Sequence, residues 1–168
     1  MKFLNVGFLL LFLISGCGSW GDYVHKSDRF KYKITFPKGW EVWDRSTEQE
    51  DYLDAEYPEI PKALLTVRAS ASAPDISPSE LYPSFMDGGG DAAILTEFAI
   101  TEKGTISSKN REGRQITYSY LTEEDRIKGM RALFIGNRFI IRIKMEMPVD
   151  NFEDHEAEFQ KMISMLEL

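Results

Sequence analysis

Cysteine, histidine and long apolar runs are scarce in this sequence. Cys17 is the only cysteine, and His25 and His155 are the only histidines, in 168 residues. A lone thiol closes no disulfide within the chain. Neither histidine has a second histidine or a cysteine at ligand spacing, so no metal site and no cofactor are expected. Also missing are a G-x-S-x-G elbow, a P-loop, a G-x-G-x-x-G turn and an EF-hand loop, and with them the serine hydrolase, nucleotide and calcium readings that those motifs support. Gly88-Gly89-Gly90-Asp91 lacks the Lys and Ser/Thr of a phosphate cradle and reads as a helix-to-strand loop. Positive charge is in deficit too, 20 Lys+Arg against 27 Asp+Glu for a net charge of −7. That sign, without a basic stripe interleaved with aromatics, excludes nucleic acid as a partner.

The longest apolar run, Val6 to Ile14, follows Lys2 and spans nine residues. As a helix it would cover about 14 Å, half of a bilayer core, too short to span one. Its position suits the h-region of an export signal. Ile14-Ser15-Gly16-Cys17 then resembles the lipobox of bacterial lipoproteins. A thiolate can take a diacylglyceryl group, and small Ser15 and Gly16 leave the bond open to a peptidase. Cleavage is expected between Gly16 and Cys17, with residues 1–16 the signal peptide. Removal of Lys2 would leave 19 Lys+Arg against 27 Asp+Glu, or −8. The acyl chains at Cys17 imply a membrane partner. Gly18 in place of an aspartate favours the outer membrane in a two-membrane organism, and in a one-membrane organism the outer leaflet of the cell membrane.

Residues 17–28 (CGSWGDYVHKSD) read as the lipidated cysteine and a tether, and residues 29–168 as a single, monomeric domain. Phe30, Tyr32, Ile34 and Phe36 alternate with polar residues, the signature of a half-buried strand. Pro37-Lys38-Gly39 turns the chain, and the return strand places Trp40 and Val42 on one side and Trp43 on the other. Ala63 to Ser70 is a third strand, and Ser77-Pro78 opens a helix that ends before Gly88. From Ile94 an antiparallel meander is expected, with turns at Lys103-Gly104, Glu112-Gly113 and Gly136-Asn137. The last suits a type II′ hairpin with Gly136 at its first central position. A helix capped by Asp150 or Asn151 closes the chain, with Phe152, Phe159, Met162, Ile163 and Leu166 on one stripe. Strands followed by a closing helix mean α+β.

Tyr32-Lys33-Ile34-Thr35-Phe36-Pro37-Lys38-Gly39-Trp40 resembles the opening of PsbP-like domains, and the Gly136–Ile141 hairpin, Pro148 and the Phe-rich last helix resemble their ending. The resemblance spans roughly residues 27 to 168. It implies the Mog1/PsbP-like fold, an antiparallel sheet flanked by helices (an α/β/α sandwich), and functions of binding and assembly.

Candidate site residues lie in the acidic stretch from Thr47 to Glu59, which has no clear period and reads as a loop. Asp51, Tyr52, Asp54, Glu56 and Tyr57 could face a basic envelope protein there, since tyrosines favour contact cores and carboxylates steer cations; the alternative is a solvated loop. Lys26, Arg29, Lys31, Lys33 and Lys38 gather beside the tether, either near anionic head groups or as the outer face of an edge strand. His155 belongs to the edge of the apolar stripe. With no catalytic residues recognisable, the expected function is a membrane-tethered, non-catalytic binding or assembly lipoprotein of the cell envelope. The alternatives are a hydrolase using carboxylates and a carrier of a small apolar ligand held between helix and sheet.

Overall fold

The computed structural model describes residues 23–72 and 77–168. Gly16, Cys17 and the segment expected to be an export signal lie outside the described residues. The elements in order are β1 (Tyr23–Ser27), β2 (Tyr32–Phe36), β3 (Glu41–Asp44), β4 (Glu50–Glu56), β5 (Leu64–Ala71), α1 (Pro78–Met86), α2 (Asp91–Ile94), β6 (Thr96–Ser107), β7 (Glu112–Leu121), β8 (Arg126–Ile135), β9 (Phe139–Pro148) and α3 (Val149–Met165). Seven strands form one antiparallel sheet in the order β3-β4-β5-β9-β8-β7-β6, and β1 and β2 form a separate hairpin. The α+β class follows.

Alternation along each strand divides the sheet into two faces. Leu65, Val67 and Ala69 of β5, Ile141, Ile143 and Met145 of β9, and Met130, Ala132 and Phe134 of β8 are buried on one of them. Over that face lie α3, through Phe152, Phe159, Met162 and Ile163, and the β1–β2 hairpin, through Tyr32, Ile34 and Phe36. Two backbone hydrogen bonds of 3.0 Å between Lys33 and Glu167 join the hairpin to the chain just beyond α3. The opposite face is covered at one end only, where Leu81, Tyr82 and Phe85 of α1 pack on Leu133, Ile135 and Ile140.

Several expectations are corrected. The strand after Pro37-Lys38-Gly39 does not return along β2, because β2 pairs with β1 while β3 crosses to the large sheet and pairs with β4. The stretch read as tether contains β1, whose inward positions are Tyr23, His25 and Ser27; two polar residues out of three hide the alternation. Tyr23 meets Phe36 edge-on at 5.8 Å, and Ser27 Oγ accepts the Phe30 amide at 3.1 Å. The acidic loop is largely β4, with Asp51, Leu53 and Ala55 inward; Asp51 breaks the apolar pattern and is tolerated because Arg29 meets it. Lys103-Gly104 lies inside the twelve-residue β6, and Glu112-Gly113 begins β7. The turns fall instead at Ser108–Arg111 and Thr122–Asp125, where the Ser108 and Thr122 amides each donate to the far carbonyl at 2.8 Å. Gly136 precedes the hairpin bend and its φ is not positive. Its lack of a side chain serves close packing, since a Cβ there would come within 2.4 Å of the Phe139 ring. Helix α3 starts at Val149 with Pro148 as N-cap, and Asp150 falls in its first turn.

Candidate functional site

The partly covered face of the sheet carries a groove of about 490 Å³ between α1 and strands β5, β9 and β8. Proline at the start of α1 and the Ser77 amide donating to Glu80 Oε2 at 3.0 Å begin the helix. Among the described side chains of α1, Leu81, Tyr82 and Phe85 pack on the sheet, so a nine-residue helix roofs part of the face and leaves its flank open. Leu64, Leu81, Phe85 and Leu133 form the apolar lining.

Cations form the rest. Pairing places Arg68 of β5 opposite Arg142 of β9, and Lys144 of β9 opposite Arg131 of β8, all on this face. Two of the four are neutralised. Lys144 Nζ lies 2.7 Å from Glu146, whose other oxygen accepts from the Tyr118 hydroxyl at 2.5 Å. Arg131 donates to Asp91 at 2.7 Å and to the Gly88 carbonyl at 3.1 Å, and lies over the Tyr118 ring. Gly88 holds that carbonyl with φ of +88°, a conformation that favours glycine, and a Cβ would strike Phe98 at 2.7 Å. The glycine cluster is thus a built turn around Arg131, and Arg131 Nε remains buried without a partner.

Arg68 and Arg142 hold no carboxylate among the described residues. Arg68 stacks on Tyr52, 4.2 Å from the ring centroid. Burial, and after it the charge of Arg68, lower the Arg142 pKa; Glu50 opposes them. Like charges opposite one another on paired strands destabilise a sheet.

The five residues predicted as a partner site do not form one surface. Tyr52, Asp54 and Glu56 share the groove face, and Asp54 holds Arg45 at 3.2 Å. Asp51 points the other way, 5% exposed beneath the hairpin, where Arg29 lies at 2.5 Å and His25 Nε2 at 3.8 Å. The Tyr32 hydroxyl is buried in the same cluster; burial foremost, then the Asp51 charge, raises its pKa. Tyr57 lies past the strand between Trp40 and His155, at ring distances of 5.6 and 5.0 Å. His155 Nδ1 meets Glu158 at 3.0 Å. In the basic cluster, Lys26 pairs with Asp28, Arg29 with Asp51 and Lys33 with Glu167. No group of three or more His, Cys, Asp or Glu among the described residues could hold a metal ion.

Sequence reasoning missed Arg68, Arg131, Arg142 and Lys144. Their signal is a basic residue at the outward positions of strands that are otherwise core. It gains meaning only when β5 is known to pair with β9, across more than seventy residues.

Sheet order, the closing helix and the leading hairpin together define a PsbP-like α+β fold. Solved structures agree. The solution structure of cyanobacterial PsbP (CyanoP) from Synechocystis sp. PCC 6803 is similar with a TM-score of 0.68 at 14% identity, over 94% of this chain and 98% of that one. LpqN of Mycobacterium tuberculosis, a protein involved in cell envelope biogenesis, is similar with a TM-score of 0.60 at 13% identity, over 86% and 88% of the two chains. PA94 from Pseudomonas aeruginosa, a protein of unknown function, gives a TM-score of 0.54 at 10% identity, over 88% and 97%. At these identities the likeness is one of fold. No protein-family model and no curated protein sequence matches the chain.

Proposed function

We propose that this chain is a membrane-tethered, non-catalytic binding module of the cell envelope, anchored by lipid at Cys17 and binding its ligand in the groove between α1 and the sheet. The observation that carries the binding surface is the pairing of an apolar lining with two arginines that form no ion pair among the described residues. No carboxylate among the described residues lines the groove itself; nearby, Asp54 holds Arg45, Glu146 holds Lys144 and Tyr118, and Asp91 holds Arg131, while Glu50 and Glu56 of β4 stand outside the lining. A groove lined without acids weighs against a carboxylate hydrolase acting there, which needs a proton-transferring acid and a second carboxylate. The carrier reading gains from a groove that lies between helix and sheet, as such a ligand would require. LpqN's part in envelope biogenesis fits a module of this kind. Gly18 favours the outer membrane where the organism has one.

Two measurements test the proposal. Radiolabelled palmitate should enter the wild-type protein and not Cys17→Ala. Ser84 is exposed on the groove rim, so Ser84→Trp fills the space without disturbing the core. Organic extracts of the protein captured in mild detergent should contain a small molecule that the Ser84→Trp protein lacks. Identical extracts would remove the groove as the binding surface.

A further inference from the structure

The nine arginines of the chain differ in how they are answered. Arg29, Arg45, Arg114, Arg126 and Arg131 each hold a carboxylate, and Arg111 donates to the Ile135 carbonyl. Arg68, Arg138 and Arg142 have neither among the described residues, and two of these three stand opposite one another in the groove. The protein carries seven negative charges in excess, yet no acid among the described residues forms an ion pair with this mutually repelling pair, and Glu50 of β4 offsets the charge at Arg142 only from beyond contact. An arrangement that costs the folded state stability implies a ligand that repays it.

Resting on the groove as the binding surface, we propose that its ligand is a single-chain lipid phosphate monoester, with the phosphate held between Arg68 and Arg142 and the chain laid along Leu81, Phe85 and Leu133. Guanidinium groups take phosphate oxygens in pairs of parallel hydrogen bonds. A phosphate monoester carries about −1.5 to −2 charges at neutral pH, enough to neutralise both arginines, whereas a carboxylate neutralises one. Leu133 of the sheet floor and Leu81 and Phe85 of the α1 roof line the same groove as the arginines, so head and chain are served together. Tyr52 beneath Arg68 and Leu133 beside Arg142 hold the pair in place across four strands.

Binding of dodecyl phosphate, dodecanoate and dodecyl maltoside, each below its micelle concentration, separates the outcomes in titration calorimetry. Dodecyl phosphate should bind the intact protein at least about tenfold tighter than dodecanoate, and dodecyl maltoside weakest. Arg68→Gln with Arg142→Gln should remove that preference, while the melting temperature of the ligand-free double variant stays level or rises because repulsion is relieved. Equal affinity for all three amphiphiles, abolished by Ser84→Trp, would overturn the phosphate assignment and leave the groove as the binding surface. A preference for dodecanoate would assign the pair to a carboxylate and overturn it likewise. Absence of binding by all three, or binding that Ser84→Trp leaves intact, would overturn both readings. A fall in the melting temperature of the double variant would make the pair structural.

Discussion

Trp40 illustrates what one buried residue contributes. It follows Gly39 in the connection from β2 to β3, is 6% exposed, and meets Tyr57 edge-on at 5.6 Å. Truncation to alanine should cost about 3–5 kcal/mol in urea unfolding. Phenylalanine should cost less than a simple loss of contacts implies, because the buried Trp40 Nε1 has no partner to lose. Phenols add a pH dependence. Burial raises the pKa of Tyr32 and Tyr118, and that of Tyr120 to about 12. In the unfolded chain a phenol loses its proton near pH 10. Above that pH the unfolded state therefore binds fewer protons than the folded state, and stability falls as pH rises. Full stability from these groups is present below about pH 10, and the loss should run at about 1.4 kcal/mol per pH unit for each fully buried phenol. Melting curves between pH 8 and 12 should show it, with a shallower decline in Tyr32→Phe, which removes one of the buried phenols.

Strand β4 decides what its acids do. Alternation sends Asp51 under the hairpin and Asp54 and Glu56 to the other face, so three carboxylates that read as one cluster have three fates. Asp51→Asn weakens a charge-assisted contact with Arg29 in a buried setting and should cost about 1–3 kcal/mol. Asp54→Asn releases the mostly exposed Arg45 and should cost about 0.5–1 kcal/mol. Glu56→Gln, exposed at the strand's end, should stay within about 0.5 kcal/mol. Equal losses in urea unfolding of the three would contradict this placement. The acid-laden segment was not recognisable as a strand because its neutralising partner, Arg29, comes from twenty-two residues earlier. By contrast, β2, β8, β9 and α3 could be read directly, since their inward positions are nearly all apolar.

At the scale of the molecule, the hairpin and α3 close one face of the sheet and are joined to each other by Lys33 and Glu167. A chain starting at residue 22 keeps the whole hairpin. One starting at residue 28 lacks β1 and leaves Tyr32 and Phe36 without their strand neighbour. The shorter chain should lose about 3 kcal/mol, or roughly 6–12 °C in Tm for a domain of this size. Coincident melting of the two would show that β1 contributes nothing to the fold. No helix among the described residues is long and apolar enough to cross a membrane, so attachment of the proposed kind rests on Cys17.

Local pattern alone determined the α+β class, the chain reversal between β8 and β9, the burial of Trp40 and the apolar stripe of α3, because each is set by residues a few positions apart. Resemblance in the same segments pointed to the PsbP-like fold. Only the tertiary structure decided that β1 is a strand, that Asp51 is buried, and that Arg68 and Arg142 face one another beside the apolar flank of α1. Those features depend on which strand lies beside which, and β5 pairs with β9 although α1, α2 and three strands of the meander lie between them in sequence.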